Sequence, residues 1–417
     1  MQAPWKEAAW VFGLSRLIIF LISYLSITFL PNTPLSNAIM LISPKCTINI
    51  TCFLLSWWRW DAVHYIQIAY GGYNQKPLTT FFPLFPLFMH GIGFLFGGSE
   101  IADYAAGLIL ANSCFYASLV LFYYLVSKDF GPRVARYALI YLAFAPYAIF
   151  FFVGYAESLF LLLTLAFFYF LRRGNPLDWW LAGLCGFLAA LTRPTGIALI
   201  VPFLVLFAQK FGIYMGAINW VPPIGNKLRN VIGLSSQYPI NNSPIGVHWQ
   251  QKLNALLPLL LIPAGLLIYL LYQWKTFGNP WLFTVEEAYY WQRSLAFPWV
   301  GFFYVLREIV TAGPLAQWCL NDAVFTLWPL VSLIMGWKLL PLEYRLFSAV
   351  MILFALCEPS RYEGLLSVPR FMIVIFPIFI LFALWSQHPR VTWYFMIPSV
   401  IFFAVHVMQF AVYWWVA

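Results

Sequence analysis

Long apolar stretches follow one another from end to end of the chain, and most polar residues fall between them. Apolar runs of about 18 residues or more are the mark of membrane helices. The pattern predicts spans at 8–30, 101–127, 134–152, 156–171, 178–192, 195–209, 255–274, 318–337, 343–357, 371–385 and 391–413. The expected architecture is all-α and polytopic, about 11 transmembrane helices in a single integral membrane domain over 1–417. The first run is too long for a signal-peptide core of about 7–15 residues and reads as a membrane helix. The stretch FFPLFPLFMHGIGFLFGG, 81–98, is apolar but broken by prolines and glycines, which predicts an interfacial or re-entrant segment. In WWRWDAVHYIQIAYGGY, residues Asp61, His64, Tyr65 and Ile68 fall on one helical face, preceded by Arg59 and Trp60. That spacing predicts an amphipathic helix over 57–70, lying at a membrane surface.

Composition sharpens the class. The 417 residues are 63% hydrophobic and only 9% charged, where soluble domains carry roughly 25%. A formal charge of +9 suggests acidic partners, but in a membrane protein cytoplasmic lysine and arginine account for it, and no nucleic-acid partner is expected. Placing the N-terminus inside gathers Lys6, Arg16, Lys128, Arg133, Arg136, Arg172, Arg173, Lys210, Lys227, Arg229, Lys252, Lys338, Arg345 and Arg390 on the cytoplasmic side. Most acidic residues then fall outside. The loops 31–100, 275–317 and 358–370 become external and 210–254 cytoplasmic. Cys46 and Cys52 share one external loop with the sequon Asn49-Ile50-Thr51 and could pair in an oxidising compartment. Cys114, Cys185, Cys319 and Cys357 read as packing. No metal-ligand spacing is present; the neighbours Glu286 and Glu287 could hold a divalent cation, but lack His or Asp partners.

The external side collects chemistry. Asp61 could cap its helix or pair with Arg59, or it could act as a base. Glu157 and Ser158 stand at the mouth of the fourth span, Arg193 in LTRPTG before the sixth, Gln292 and Arg293 in 275–317, and Arg361 and Arg370 after the ninth. Ionisable groups at membrane depth are costly and usually functional. One carboxylate and several arginines on one face suit sugar transfer from a polyprenyl-phosphate donor. The carboxylate takes the proton of an acceptor hydroxyl, and arginines hold the departing phosphate. On this reading Asp61 is the base, Arg59, Arg193, Arg361 and Arg370 are phosphate holders, and His64, Glu157, Gln292 and Arg293 position sugar or acceptor, with Trp60, Tyr65 and Ser158 alongside. No cytoplasmic nucleotide-binding domain is inserted.

RWDAVHYIQIAYGGY followed by FFPLFP resembles the first external loop of the PIG-V family of mannosyltransferases. GYAESLF at 154–160, LTRPTG at 191–196 and SVPRFMIVIFPIF at 367–379 are similar to later segments of that family, in order. The resemblance implies a GT-C type membrane glycosyltransferase that uses dolichyl- or polyprenyl-phosphate-mannose, inverts it to an α-linked product, and needs no further cofactor. It also implies a glycan or glycolipid acceptor and Asp61 as base. The site would face the lumen of the endoplasmic reticulum in a eukaryote, or the outside of the plasma membrane in a prokaryote. A transporter or lipid flippase, or a non-catalytic subunit working with a small membrane partner, remains the alternative.

Overall fold

The computed structural model describes residues 3–30, 50–212, 249–312, 317–387 and 389–416. The Cys46–Cys52 pairing, the Asn49 sequon and most of the 210–254 loop lie outside the described residues. In chain order the helices are α1 (Pro4–Phe29), α2 (Ile50–Leu55), α3 (Asp61–Gly71), α4 (Leu84–Leu95), α5 (Glu100–Phe130), α6 (Pro132–Ala143), α7 (Glu157–Arg173), α8 (Pro176–Thr192) and α9 (Ile200–Lys210). They continue as α10 (Trp249–Leu256), α11 (Leu261–Phe277), α12 (Leu282–Tyr290), α13 (Val300–Ala312), α14 (Gln317–Gly336), α15 (Leu342–Leu356), α16 (Val368–Met372), α17 (Pro377–Trp385) and α18 (Pro389–Ala411). Five described segments have the length and apolarity to cross a membrane: Pro4–Phe29, Glu100–Phe130, Trp249–Phe277, Trp318–Leu339 and Arg390–Ala411. The chain is a multi-pass membrane protein. Several other expected spans are shorter or interrupted.

The sharpest departure is at 134–152. Helix α6 stops at Ala143, and the chain turns through Pro146 and a 3-10 turn at Ala148–Phe151 before α7 starts. Non-helical backbone at this depth leaves carbonyls that water cannot reach, so side chains must satisfy them. Ser399 donates to the Phe144 carbonyl at 2.8 Å, and His406 Nδ1 to Pro146 at 2.8 Å. Arg16 Nη2 reaches the Phe151 carbonyl at 2.8 Å, and Asn112 that of Phe152 at 2.9 Å. Arg16, assigned from the sequence to the cytoplasmic side, is therefore buried at mid-length of α1, with its guanidinium over Phe12 and Phe115. Its charge serves the broken backbone.

Helix α7 packs between α5 and α8, and α8 against α11. The last contact is close because Gly265 has no side chain: a Cβ there would stand 2.3 Å from the Phe187 carbonyl. Small residues at such crossings let helix backbones approach. Helices α3 and α4 pack on each other and on α5. At 12 residues α4 is too short to span, in line with the sequence expectation for 81–98.

Two ionic clusters form at opposite ends of α7. At its C-terminal end Arg172 pairs with Asp129, and with Glu343 at 2.6 Å, all three side chains at most 11% exposed. Breaking a buried pair strands the remaining charges. Arg172→Ala is expected to lower stability by about 3–5 kcal/mol, measured by denaturant unfolding of the purified protein; a loss below about 1 kcal/mol would show the cluster to be solvated. The N-terminal end of α7 holds the other cluster.

Candidate active site

Helix α3 begins at Asp61, four residues later than the 57–70 pattern implied. Trp60, just before it, has φ 52° and ψ −129°, a conformation that side chains adopt at a cost of about 1–3 kcal/mol. The bend sends neighbouring side chains to different places. Arg59 Nη1 donates to the Phe410 carbonyl at 3.0 Å, and its guanidinium lies over Tyr413. Asp61 Oδ2 pairs with Arg370 Nη1 at 2.6 Å. Between them the Tyr155 hydroxyl accepts from the Asp61 backbone N–H at 3.1 Å and donates to the Arg59 carbonyl at 3.4 Å. Thus Arg370, and not Arg59, is the partner of Asp61.

Glu157 is the first residue of α7 and fully buried. Its Oε1 lies 3.2 Å from Arg370 Nε in an ion pair and pairs also with Arg193. Arg193 follows the last residue of α8 and is fixed by the turn Pro194–Leu199. That turn folds back so tightly that a Cβ at Gly196 would stand 2.4 Å from the Ala190 nitrogen, which explains the glycine of LTRPTG. The result is a chain of alternating charge, Asp61–Arg370–Glu157–Arg193, with every side chain at most 14% exposed. Both acids head a helix, where the positive end of the helix dipole favours negative charge.

A third wall comes from the loop after α12, which runs beside the loop after α15. Arg361 N–H donates to the Gln292 carbonyl at 3.0 Å, Ala296 N–H to Cys357 at 2.9 Å, and Ser360 Oγ to Trp291 at 2.8 Å. This places Arg293 against the site, where its Nη2 donates to the Leu366 carbonyl at 2.7 Å. Three guanidinium groups surround the Phe371 ring: Arg193 at 5.3 Å, Arg293 at 4.9 Å and Arg370 at 5.1 Å. Gln292 and Ser367, near Arg293 and Arg370, also take positive φ, 51° and 59°. Strained backbone of this kind persists where the surroundings over-determine it, often at functional sites.

The remaining expected site residues stand at the edges. His64 is half-buried on Phe81 and shares a 3.3 Å hydrogen bond with Gln67. Tyr65 is buried among Phe81, Phe85 and Tyr155. Trp60 packs on Tyr413 and Trp415. The Ser158 hydroxyl donates to the Phe151 carbonyl at 3.1 Å. Gln292 and Arg361 have exposed side chains. Tyr155 and Phe371 border these charges but were missing from the sequence-based set, and Glu287 was raised there only as a cation ligand. The signal for Tyr155 and Phe371 was adjacency, two residues before Glu157 and one after Arg370. Among the described residues no three His, Cys, Asp or Glu side chains gather to hold a metal ion.

Glu287, on α12, lies 3.9 Å from Arg293 Nε. Its side chain is 31% exposed. Burial pushes its carboxyl up to about 7, partly offset by Arg293, with Glu358 and Asp61 adding to the rise. An acid held above its unfolded value of 4.5 makes the native state bind more protons than the unfolded one, so stability falls as pH rises from about 4.5 to about 7. Glu287→Gln is expected to flatten the decline of Tm over that window; an unchanged slope would contradict the assignment.

What remains is unpaired polar capacity. Asp61 Oδ1 takes no hydrogen bond from the described residues, and Glu157 Oε2 is buried without a partner. A carboxylate oxygen open to an incoming hydroxyl, beside buried arginines, can take a proton while an anion forms nearby.

Residues 6–213, about half of the chain, match the sequence profile of a family described as mannosyltransferase (PIG-V). GPI alpha-1,6-mannosyltransferase 2 of Cricetulus griseus is 34% identical over 173 residues, covering 38% of this chain and 33% of the relative. The Homo sapiens protein of that name is 33% identical over 130 residues, covering 28% and 25%. GPI mannosyltransferase 2 of Cryptococcus neoformans is 33% identical over 150 residues, covering 33% and 34%. The matched part spans about a third of the length of the first of these relatives. Among solved structures, ArnT from Cupriavidus metallidurans bound to undecaprenyl phosphate aligns with 96% of this chain and 64% of its own, at TM-score 0.48 and 14% identity. The Archaeoglobus fulgidus oligosaccharyltransferase aligns with 95% and 53%, at 0.44 and 15%. Through the residues 6–213 that carry Asp61, Glu157 and Arg193, the chain belongs to the PIG-V mannosyltransferase family.

Proposed function

We propose that the chain is an inverting membrane glycosyltransferase of GT-C type. It moves mannose from a polyprenyl- or dolichyl-phosphate-mannose donor to a hydroxyl of a glycan or glycolipid on the extracytoplasmic side. The observation that carries this reading is the Asp61–Arg370–Glu157–Arg193 chain, ending at Asp61 with one carboxylate oxygen unengaged. Mannose as the sugar, and an α-1,6 linkage, are supported by the names of the matched relatives.

In the reaction the acceptor oxygen forms a bond to the anomeric carbon as the bond from that carbon to phosphate oxygen breaks. The acceptor proton passes to Asp61 Oδ1, and the electron pair leaves with the prenyl phosphate. Arg370 holds Asp61 by Oδ2, which leaves the other oxygen to meet the hydroxyl. Arg293, next to Arg370 across Phe371, is the guanidinium placed to meet the leaving phosphate. Glu157 keeps Arg370 and Arg193 together, and its Oε2 can accept a sugar hydroxyl.

The test offers purified protein a panel of prenyl-phosphate sugars, mannose, glucose and arabinose among them, with nucleotide sugars as the other arm. Consumption of prenyl-phosphate-mannose with an α-linked product is expected. Consumption of a nucleotide sugar instead, or of no donor, would contradict the proposal.

A further inference from the structure

A second polar site lies apart from this chain of charges. Trp318, Asn321 and Asp322 of α14, Phe402, Val405, His406 and Gln409 of α18, and the tail after α18 enclose a cavity of about 240 Å³. The tail reaches it by a left-handed turn at Tyr413, φ 71°, with Trp414 N–H closing on the Gln409 carbonyl at 2.9 Å. Glycine is usual at such a helix end, so a tyrosine there marks a fold that is held on purpose. Trp414 then faces Trp318 with ring centres 5.4 Å apart, and Trp415 joins the wall.

The polar lining is pre-set. His406 Nδ1 donates to the Pro146 carbonyl at 2.8 Å, which leaves Nε2 as the acceptor for Asn321 Nδ2 at 3.4 Å. The same Asn321 nitrogen donates to the Tyr147 hydroxyl at 2.7 Å, which donates on to Asp322 Oδ1 at 3.3 Å. With its NH₂ spent, Asn321 presents a carbonyl oxygen to the cavity. The Gln409 amide makes no hydrogen bond to the described residues and lines the same space. Aromatic faces with a few aimed amide and carboxyl groups are the chemistry that recognises a sugar ring: flat C–H faces stack on tryptophan and hydroxyls meet the polar groups. Drug-sized ligands occupy about 300–1,000 Å³, so a single ring suits this volume better than a prenyl chain. No lysine or arginine lines the cavity, and a phosphate would meet Asp322 there. The donor is thus a poor occupant.

We propose that this cavity is an acceptor subsite that takes a neutral hexose unit of the glycan being extended, beside the unit that receives mannose. This rests on the glycosyl-transfer reading above. Its wall touches the reaction centre through Trp415, whose ring lies 4.8 Å from that of Trp60, the residue before Asp61. The experiment uses a diazirine-bearing methyl α-mannoside as probe on the full chain in nanodiscs, with crosslinks mapped by mass spectrometry, in wild type and in Asp61→Asn. Labelling is expected on 318–322 or 405–416 in both proteins, reduced at least fivefold by Gln409→Ala or Trp414→Ala and competed by unlabelled methyl α-mannoside. In transfer assays Gln409→Ala should raise the acceptor KM about tenfold. Labelling confined to other segments, or unaltered by both substitutions, overturns the subsite. Labelling of the cavity in a wild-type protein that transfers no sugar upholds a hexose site and overturns the transfer reading alone.

Discussion

Asp61→Asn is expected to reduce sugar transfer by roughly 10²–10⁴-fold, the usual cost of losing a general base, while leaving the fold intact. Asparagine keeps the side-chain shape, and its carbonyl oxygen can still accept from Arg370, now 2.6 Å from Oδ2. The Tyr155 contact is to the Asp61 backbone and is untouched. What disappears is the capacity to take a proton at Oδ1. Purified variant and wild type should therefore differ in transfer rate but share a similar unfolding midpoint. A loss of less than about tenfold would mean that another group accepts the proton.

Arg370 carries the second large effect. Its guanidinium faces two carboxylates from two helices, Asp61 at 2.6 Å and Glu157 at 3.2 Å, over the Phe150, Tyr155 and Phe371 rings. Lysine is a point charge on a flexible stem and cannot reproduce that planar fork. Arg370→Lys is expected to lower transfer by about 10²–10³-fold, the range for losing one pre-aimed electrostatic group. Arg370→Ala should also cost about 3–5 kcal/mol of stability, because it leaves Asp61 facing the buried Glu157 without the intervening cation. Denaturant unfolding and the transfer assay read the two effects separately. If Arg370→Lys keeps wild-type activity, Arg370 supplies charge alone and the aiming of Asp61 lies elsewhere.

Much of this site was legible because its charges are rare. In so apolar a chain Asp61, Glu157, Arg193, Arg293 and Arg370 stood out, and the one-sided count put them together. Partner choice was not legible. Sequence proximity suggested Arg59 for Asp61, but the positive φ of Trp60 turns Arg59 towards Phe410, and backbone bends of that kind leave no periodic trace. Arg361 was grouped with the phosphate holders because its segment falls on the external side, yet its side chain is exposed and its carbonyl accepts from Arg307 at 3.1 Å. Ser158 looked available beside Glu157, but the broken backbone after α6 claims its hydroxyl. That break was itself hidden: PYAIFFFV is as apolar as any helix, and only Pro146 marks where the hydrogen-bond ladder stops.

The helix ends set the topology on which all of this depends. Glu157 begins α7 and Arg193 follows α8, so both lie at the same end of two adjacent helices, while Arg172 and Asp129 lie at the other. A transporter would be expected to keep its ionisable groups near the membrane midplane, where both sides can reach them in turn. In the transferase account the Asp61 end faces away from the cytoplasm at all times. Gln67, exposed on α3 six residues beyond Asp61, reports this directly once replaced by cysteine in a chain whose other cysteines are removed. Added to sealed vesicles of known orientation, a membrane-impermeant maleimide should modify that cysteine from the extracytoplasmic side only. Modification from the cytoplasmic side would contradict the account.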